Sequence, residues 1–166
     1  GLSKYNLGGA APDLPAGRRI LVPGQGEDDA SILTGTDTVR SNAALLAAAR
    51  AANPDAVILY KPHPDVEAGL RKGATEAGDA DLILHHADPM ALLDQVDAVW
   101  TMTSLLGFEA LLRRVQVVTL GAPFYAGWGL TEDRSDVPPR RRAQPTLEGL
   151  VHAALIDYPR YRDPLS

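Results

Sequence analysis

The sequence contains no cysteine. That absence excludes disulfides and thiolate metal sites, and it is compatible with a reducing compartment. Positive charge is also in deficit: 16 Lys and Arg against 21 Asp and Glu leave a formal net charge of −5. That balance argues against a broad nucleic-acid-binding face, so any anion site must be local. No apolar run reaches the length of a membrane span, and no signal-peptide pattern is visible.

What remains is an ordinary globular composition, 45% hydrophobic and 22% charged over 166 residues. A chain of that size buries a real core and suits one domain. The first 17 residues, rich in Gly, Pro and Ala, read as an irregular lead-in. A strand–helix alternation then begins. Strands are expected at Arg19 to Val22, Ala56 to Tyr60, Asp81 to His85, Asp97 to Thr101 and Gln116 to Leu120. Helices are expected at Thr38 to Ala52, Val66 to Ala77, Pro89 to Gln95 (with Asp88 as N-cap), Leu105 to Arg113, and Leu147 to Tyr158 (with Thr146 as cap). Residues 123–145 show no clear structure, and a loop of that length is usually functional or mobile.

Strands that are apolar throughout and alternate with helices mean a parallel sheet covered on both faces. The fold expected is α/β, a Rossmann-like doubly wound sheet of about five strands. Ligands of such sheets sit beyond the carboxyl ends of the strands. Those ends hold most of the unusual residues: Gly24 to Asp29, Lys61 to Asp65, His86 to Pro89, Thr101 to Ser104, and Gly121 to Gly129.

Each group has a chemical reading and a plainer one. Lys61 and His63 sit among Pro62 and Pro64, so the turn is stiff and its two nitrogen donors suit a phosphate or carboxylate. The plainer reading is a strand-to-helix turn with Pro64 at the first helical position. Thr103 and Ser104 precede an apolar helix, where a hydroxyl beside free N–H groups makes a phosphate site or simply an N-cap. Glu109 in "LLGFEALL" needs a partner if buried, for which ribose hydroxyls would serve; if exposed it pairs with Arg113. Gln25, Asp28 and Asp29 follow the first strand, and a carboxylate beside an anion site suits a nucleophile or base at a glycosyl carbon. A phospho-acceptor receiver domain would need an aspartate ending the third strand and a lysine after the fifth. The sequence has His85-His86 and Leu120-Gly121 there. His85 and His86, adjacent on a strand end, would point to opposite faces and make a poor metal chelate, so no metal site is expected. In Gly121 to Arg134, glycines at 121, 127 and 129 accompany Phe124, Tyr125 and Trp128. That segment reads as a ligand wall or lid, or as a loop packed on the core. Arg140, Arg141 and Arg142 form a solvated run or a contact for an anionic acceptor or lipid headgroups.

Five ordered motifs, "SKYN", "VPGQGEDDASI", "YKPHPDV", "TSLLGFEALL" and "PFYAGWGLTEDR", together resemble the capsular polysaccharide biosynthesis proteins of the KpsC/KpsS (LipA/LipB) type. These are retaining β-Kdo glycosyltransferases. The one departure noted is Gly26, where that family more often has valine. The resemblance implies two Rossmann-like domains of GT-B type around an active site, of which this chain has room for one. It implies CMP-Kdo as donor, no separate cofactor, a glycolipid acceptor, and a cytoplasmic setting with peripheral contact at the inner membrane face. By the same resemblance Lys61 and His63 would hold the CMP phosphate with Ser104 and Thr103, and Glu109 would hold the ribose. The family's Gln-x-x-x-Asp pattern falls on Gln25 and Asp29, making Asp29 the candidate nucleophile and Asp28 the fallback. Two alternatives stay open: a GT-B transferase using another nucleotide sugar, and a non-catalytic nucleotide- or glycan-binding module of the same fold.

Overall fold

A computed structural model describes residues 13–69 and 78–159. The "SKYN" motif, most of the lead-in and the later part of the helix expected over Val66 to Ala77 lie outside the described residues.

Strands β1 (Arg19–Pro23), β2 (Val57–Lys61), β3 (Leu82–Ile83), β4 (Ala98–Thr101), β5 (Gln116–Thr119) and β6 (Glu132–Asp133) form one sheet in the order β3-β2-β1-β4-β5-β6. Every pairing is parallel. The helices are α1 (Ala30–Gly35), α2 (Asn42–Ala52), α3 (Pro64–Glu67), α4 (Pro89–Leu93), α5 (Leu105–Leu112) and α6 (Leu147–His152). A π-helical turn over Ala153–Asp157 continues α6.

The alternation of side chains along each strand divides the core in two. Leu21, Leu59, Val99 and Val117 face one side and pack with α4, α5 and α6 through Leu92, Phe108, Leu111 and Leu150. Ile20, Val22, Ile58, Tyr60, Trp100 and Val118 face the other and pack with α1 and α2 through Ile32, Leu45, Leu46 and Ala49. Burial on both faces is why the strands read as continuous apolar runs. Most sequence-expected elements are present with ends shifted by a few residues. The caps supplied by Asp88 and Thr146 are as expected, accepting from the N–H groups of Met90 and Gly149.

The differences have local causes. Helix α2 starts at Asn42 rather than Thr38, because the Ser41 hydroxyl accepts from Ala44 N–H and caps it there. Helix α1 was not expected; it is a six-residue element capped by Asp29. The 123–145 stretch is not structureless, for it contains β6, which pairs with β5 at Val118 and Thr119. His85 and His86 are not on a strand. They follow β3 in a turn where His86 takes a left-handed φ of 54°. The expected helix ending at Tyr158 becomes π-helical after His152.

Candidate functional site

The chain runs outward from β1 to β2 and β3, then returns to lay down β4, β5 and β6 on the other side of β1. The direction reverses between β1 and β4, and at such a switch point the loops after the two strands part and leave a crevice. A cleft of about 250 Å³ opens there. Gln25, Asp29, Lys61, His63, Thr103, Ser104 and Glu109 all line it. Of the sequence-nominated site residues only Asp28, which is exposed, does not.

The β1 loop is built around Gln25. Its backbone N–H donates to Asn42 Oδ1 and its carbonyl accepts from Asn42 Nδ2, both at 2.9 Å, with Asn42 fully buried. Its carboxamide crosses the switch point. Nε2 donates to Thr103 Oγ1 at 2.9 Å, while Oε1 accepts from Thr103 N–H at 3.0 Å and Thr101 Oγ1 at 3.3 Å. Gln25 thus fastens the loop after β1 to the loop after β4. Four residues on, Asp29 caps α1, its Oδ1 accepting from Ser31 N–H at 2.8 Å.

At the end of β2, Gly24 N–H donates to the carbonyl of Lys61 at 2.8 Å. A Cβ at Gly24 would stand 2.7 Å from the Tyr60 hydroxyl, so only glycine lets the two loops approach. His63 caps α3, with Nδ1 accepting from Asp65 N–H at 3.1 Å. That bond assigns the hydrogen of the neutral ring to Nε2 and makes it a donor. The turn is therefore both a helix cap and a cleft wall; the two readings of "YKPHPD" hold together. Lys61 is buried, donating to the Pro62 carbonyl at 3.0 Å and lying 3.4 Å from Glu67 Oε2. Glu67 Oε1 meets His85 Nδ1 at 2.6 Å. Burial works against ionisation of Glu67, but the bonds to His85 and Lys61 prevail and hold its pKa below the usual carboxylate value. Burial, with Glu27 and Glu67 nearby, pushes the Tyr60 phenol up to about 12.

Beyond β4, Ser104 caps α5, accepting from Leu106 N–H, and its own N–H donates to Thr101 Oγ1. Glu109 lies one turn into α5 and is buried, 7% exposed. The exposed pairing with Arg113 does not form: Arg113 Nε faces Asp94 and its Nη1 donates to the Glu109 carbonyl.

The segment after β5 packs on the core. Tyr125 is fully buried, stacks with Phe108 and donates its hydroxyl to the Ser104 carbonyl. That contact passes over Gly107, where a Cβ would lie 2.2 Å from the Tyr125 oxygen. Asp133 accepts from Gly127 N–H, Thr119 Oγ1 and Thr131 Oγ1. Arg141 donates to the carbonyls of Pro123, Ala126 and Ala122. The middle arginine of the 140–142 run is thus structural, not solvated, whereas Arg140 and Arg142 are exposed.

Sequence reasoning missed three contributors: Ser31, whose Oγ lies 3.0 Å from Thr103 Oγ1; Asn42; and Glu67. The "DASI" and "SNAA" cap patterns were the available signals for the first two. Among the described residues no cluster of three or more His, Cys, Asp or Glu is placed to hold a metal ion. None of their helices is long and apolar enough to cross a membrane.

Fold and site define an open parallel α/β domain with a cleft at the topological switch point. Comparison with known proteins narrows the class: the capsule polysaccharide biosynthesis protein family matches residues 13–161, and the chain belongs to that family, as a protein of the KpsC/LipA type. It is 48% identical to the lipopolysaccharide-processing protein LpsZ of Rhizobium meliloti, across 97% of this chain and 38% of that protein. It is 47% identical to the capsule polysaccharide modification protein LipA of Neisseria meningitidis serogroup A, across 98% of this chain and 24% of LipA. Two solved structures of Thermosulfurimonas dismutans KpsC share the fold. The β-Kdo 2,7 transferase superposes with a TM-score of 0.80 at 40% identity, covering 93% of this chain and 50% of its own. The β-Kdo 2,4 transferase gives 0.82 at 36% identity, covering 99% and 53%. The chain therefore spans between about a quarter and a half of the relatives it matches.

Proposed function

We propose that this chain is the nucleotide-sugar-binding domain of a retaining Kdo transferase that uses CMP-Kdo and acts on a glycolipid acceptor. The observation that carries the reading is the convergence of His63, Lys61, Ser104, Glu109 and Asp29 on one cleft at the switch point. The similarity to two β-Kdo transferases supports it. An acceptor-binding domain would form the opposite wall, as in a GT-B enzyme, and the assembled enzyme would work at the cytoplasmic face of the inner membrane.

In this reading His63 Nε2–H, Lys61 and the first turn of α5 behind Ser104 receive the CMP phosphate, and buried Glu109 accepts from the ribose hydroxyls. Asp29 attacks the anomeric carbon of Kdo. The bond to the phosphate oxygen breaks with its electron pair, and CMP leaves with charge that the same donors take up without a metal. The acceptor hydroxyl then displaces Asp29, losing its proton to a base; two displacements restore the β configuration. Gln25, with both ends of its carboxamide engaged, positions the two loops instead of reacting.

Calorimetry with CMP, UDP and GDP tests the proposal. Binding of CMP alone or by a clear margin is expected. Equal binding of all three, or of none, sinks the CMP reading.

A further inference from the structure

The hydrogen-bond count at the switch point leaves one donor over. Ser31 Oγ and Thr103 Oγ1 lie 3.0 Å apart, so one of their two hydroxyl hydrogens is spent between them. Thr103 Oγ1 also accepts from Gln25 Nε2, and Thr103 N–H is held by Gln25 Oε1. Among the described residues the second hydroxyl hydrogen of the pair has no protein acceptor. Whichever way the bond between them runs, one O–H remains to donate, and both side chains line the cleft.

The position of the pair says what it would meet. Ser31 N–H is bound to Asp29 Oδ1 at 2.8 Å, so one end of the pair adjoins that carboxylate. Thr103 immediately precedes Ser104, so the other end adjoins the start of α5. A sugar carbon undergoing substitution must lie between the attacking carboxylate and the departing phosphate. An ordinary aldose carries a hydrogen on that carbon; a ulosonic acid such as Kdo carries a carboxylate. Brought near Asp29, that carboxylate is a like charge, and a donor between the two offsets their repulsion.

We infer that Ser31 and Thr103 form a hydroxyl donor pair for the carboxylate on the anomeric carbon of the donor sugar, and so select ulosonic-acid donors over aldose donors. The inference rests on the nucleotide-sugar reading above and adds the group that reads the sugar.

The test measures displacement of a fluorescently labelled CMP by CMP and by CMP-Kdo, on the chain and on Ser31→Ala and Ser31→Thr. Ser31 is exposed and helical, and alanine suits a helix, so the variant is expected to fold; circular dichroism checks this. Ser31 is the member beside Asp29, so in the complex Thr103 donates to Ser31 and Ser31 donates to the sugar carboxylate. In Ser31→Ala the remaining Thr103 hydroxyl stands one hydrogen-bond length farther back, and CMP-Kdo should weaken by about tenfold to a hundredfold, the scale of a lost hydrogen bond to a charged group, with CMP unchanged. Ser31→Thr keeps the hydroxyl and should stay near the parent for both. An equal loss for CMP and CMP-Kdo, or no loss, overturns the assignment. If the parent chain binds CMP but gains nothing from the Kdo moiety, the carboxylate site is wrong and the nucleotide reading stands. If it binds neither, the nucleotide reading fails and takes this one with it.

Discussion

Glu67 is the counter-ion of Lys61, with Oε2 3.4 Å from a buried ammonium at the wall of the cleft. Its other oxygen holds His85. The carboxyl group is depressed in the folded protein, against the cost of burial, so its stabilisation is complete above the unfolded glutamate value. It is lost as pH falls through the lower, folded value. Glu67→Gln should lower the urea midpoint at pH 7, by up to about 3 kcal/mol in stability, because a buried charge loses its partner. The variant should also lose less stability than the parent between pH 5 and pH 3, a range spanning the ordinary glutamate value. Equal acid sensitivity in the two proteins would remove Glu67 from this role.

His63 does two things that substitution can separate. Asparagine is a good N-cap and can replace the bond from Nδ1 to Asp65 N–H, but it has no group at the Nε2 position. His63→Asn should keep the parent melting temperature and lose CMP affinity. His63→Ala should lose affinity as well, together with about 1 kcal/mol of capping. Full CMP affinity in His63→Asn would return the turn to a purely structural part.

Asp29 and Asp28 are neighbours with different surroundings, one lining the cleft and one exposed and outside its lining. Asparagine also preserves the Asp29 cap. In a protein that joins this domain to an acceptor-binding domain, Asp29→Asn should cut transfer by roughly a thousandfold or more, with CMP affinity retained. Asp28→Asn should transfer normally. The assay is Kdo incorporation into glycolipid, and normal transfer by Asp29→Asn would exclude it as nucleophile.

Arg141 supplies the donors for three carbonyls of the loop after β5. Arg141→Ala should cost about 1–3 kcal/mol in chemical denaturation, the range for orphaned partly buried acceptors. Arg140→Ala and Arg142→Ala should stay within about 0.5 kcal/mol. Matching losses in all three would restore the picture of a uniform solvated run.

The sequence was most readable where burial on both faces leaves an unbroken apolar run, as in Val57–Lys61 and Ala98–Thr101. Helix α1 is too short to show a period, and β6 is a polar two-residue edge strand fixed largely by Asp133 bonding Thr119 and Gly127. The site followed the same division. Strand ends and residue chemistry were enough to nominate Lys61, His63, Ser104, Glu109 and Asp29, which the cleft does bring together. Ser31 and Asn42 were hard to place because their partners lie 72 and 17 residues away in sequence; Glu67 is six residues from Lys61, but its second partner, His85, lies 18 residues on. The aromatic segment after β5 advertised ligand contact, yet Tyr125 is spent inside, because its hydroxyl satisfies the carbonyl of Ser104.

That last contact binds two motifs into one unit of inheritance. Tyr125 reaches Ser104 only across the bare backbone of Gly107, since any side chain there collides with the phenol. The glycine of "LLGFEALL" and the tyrosine of "PFYAGWG" are therefore a lock and its key. A lineage that replaces the tyrosine with a small residue releases the glycine to vary, and one that fills the glycine must give up the tyrosine. Filling the glycine while the tyrosine stays should be purged, so the tyrosine must be lost first.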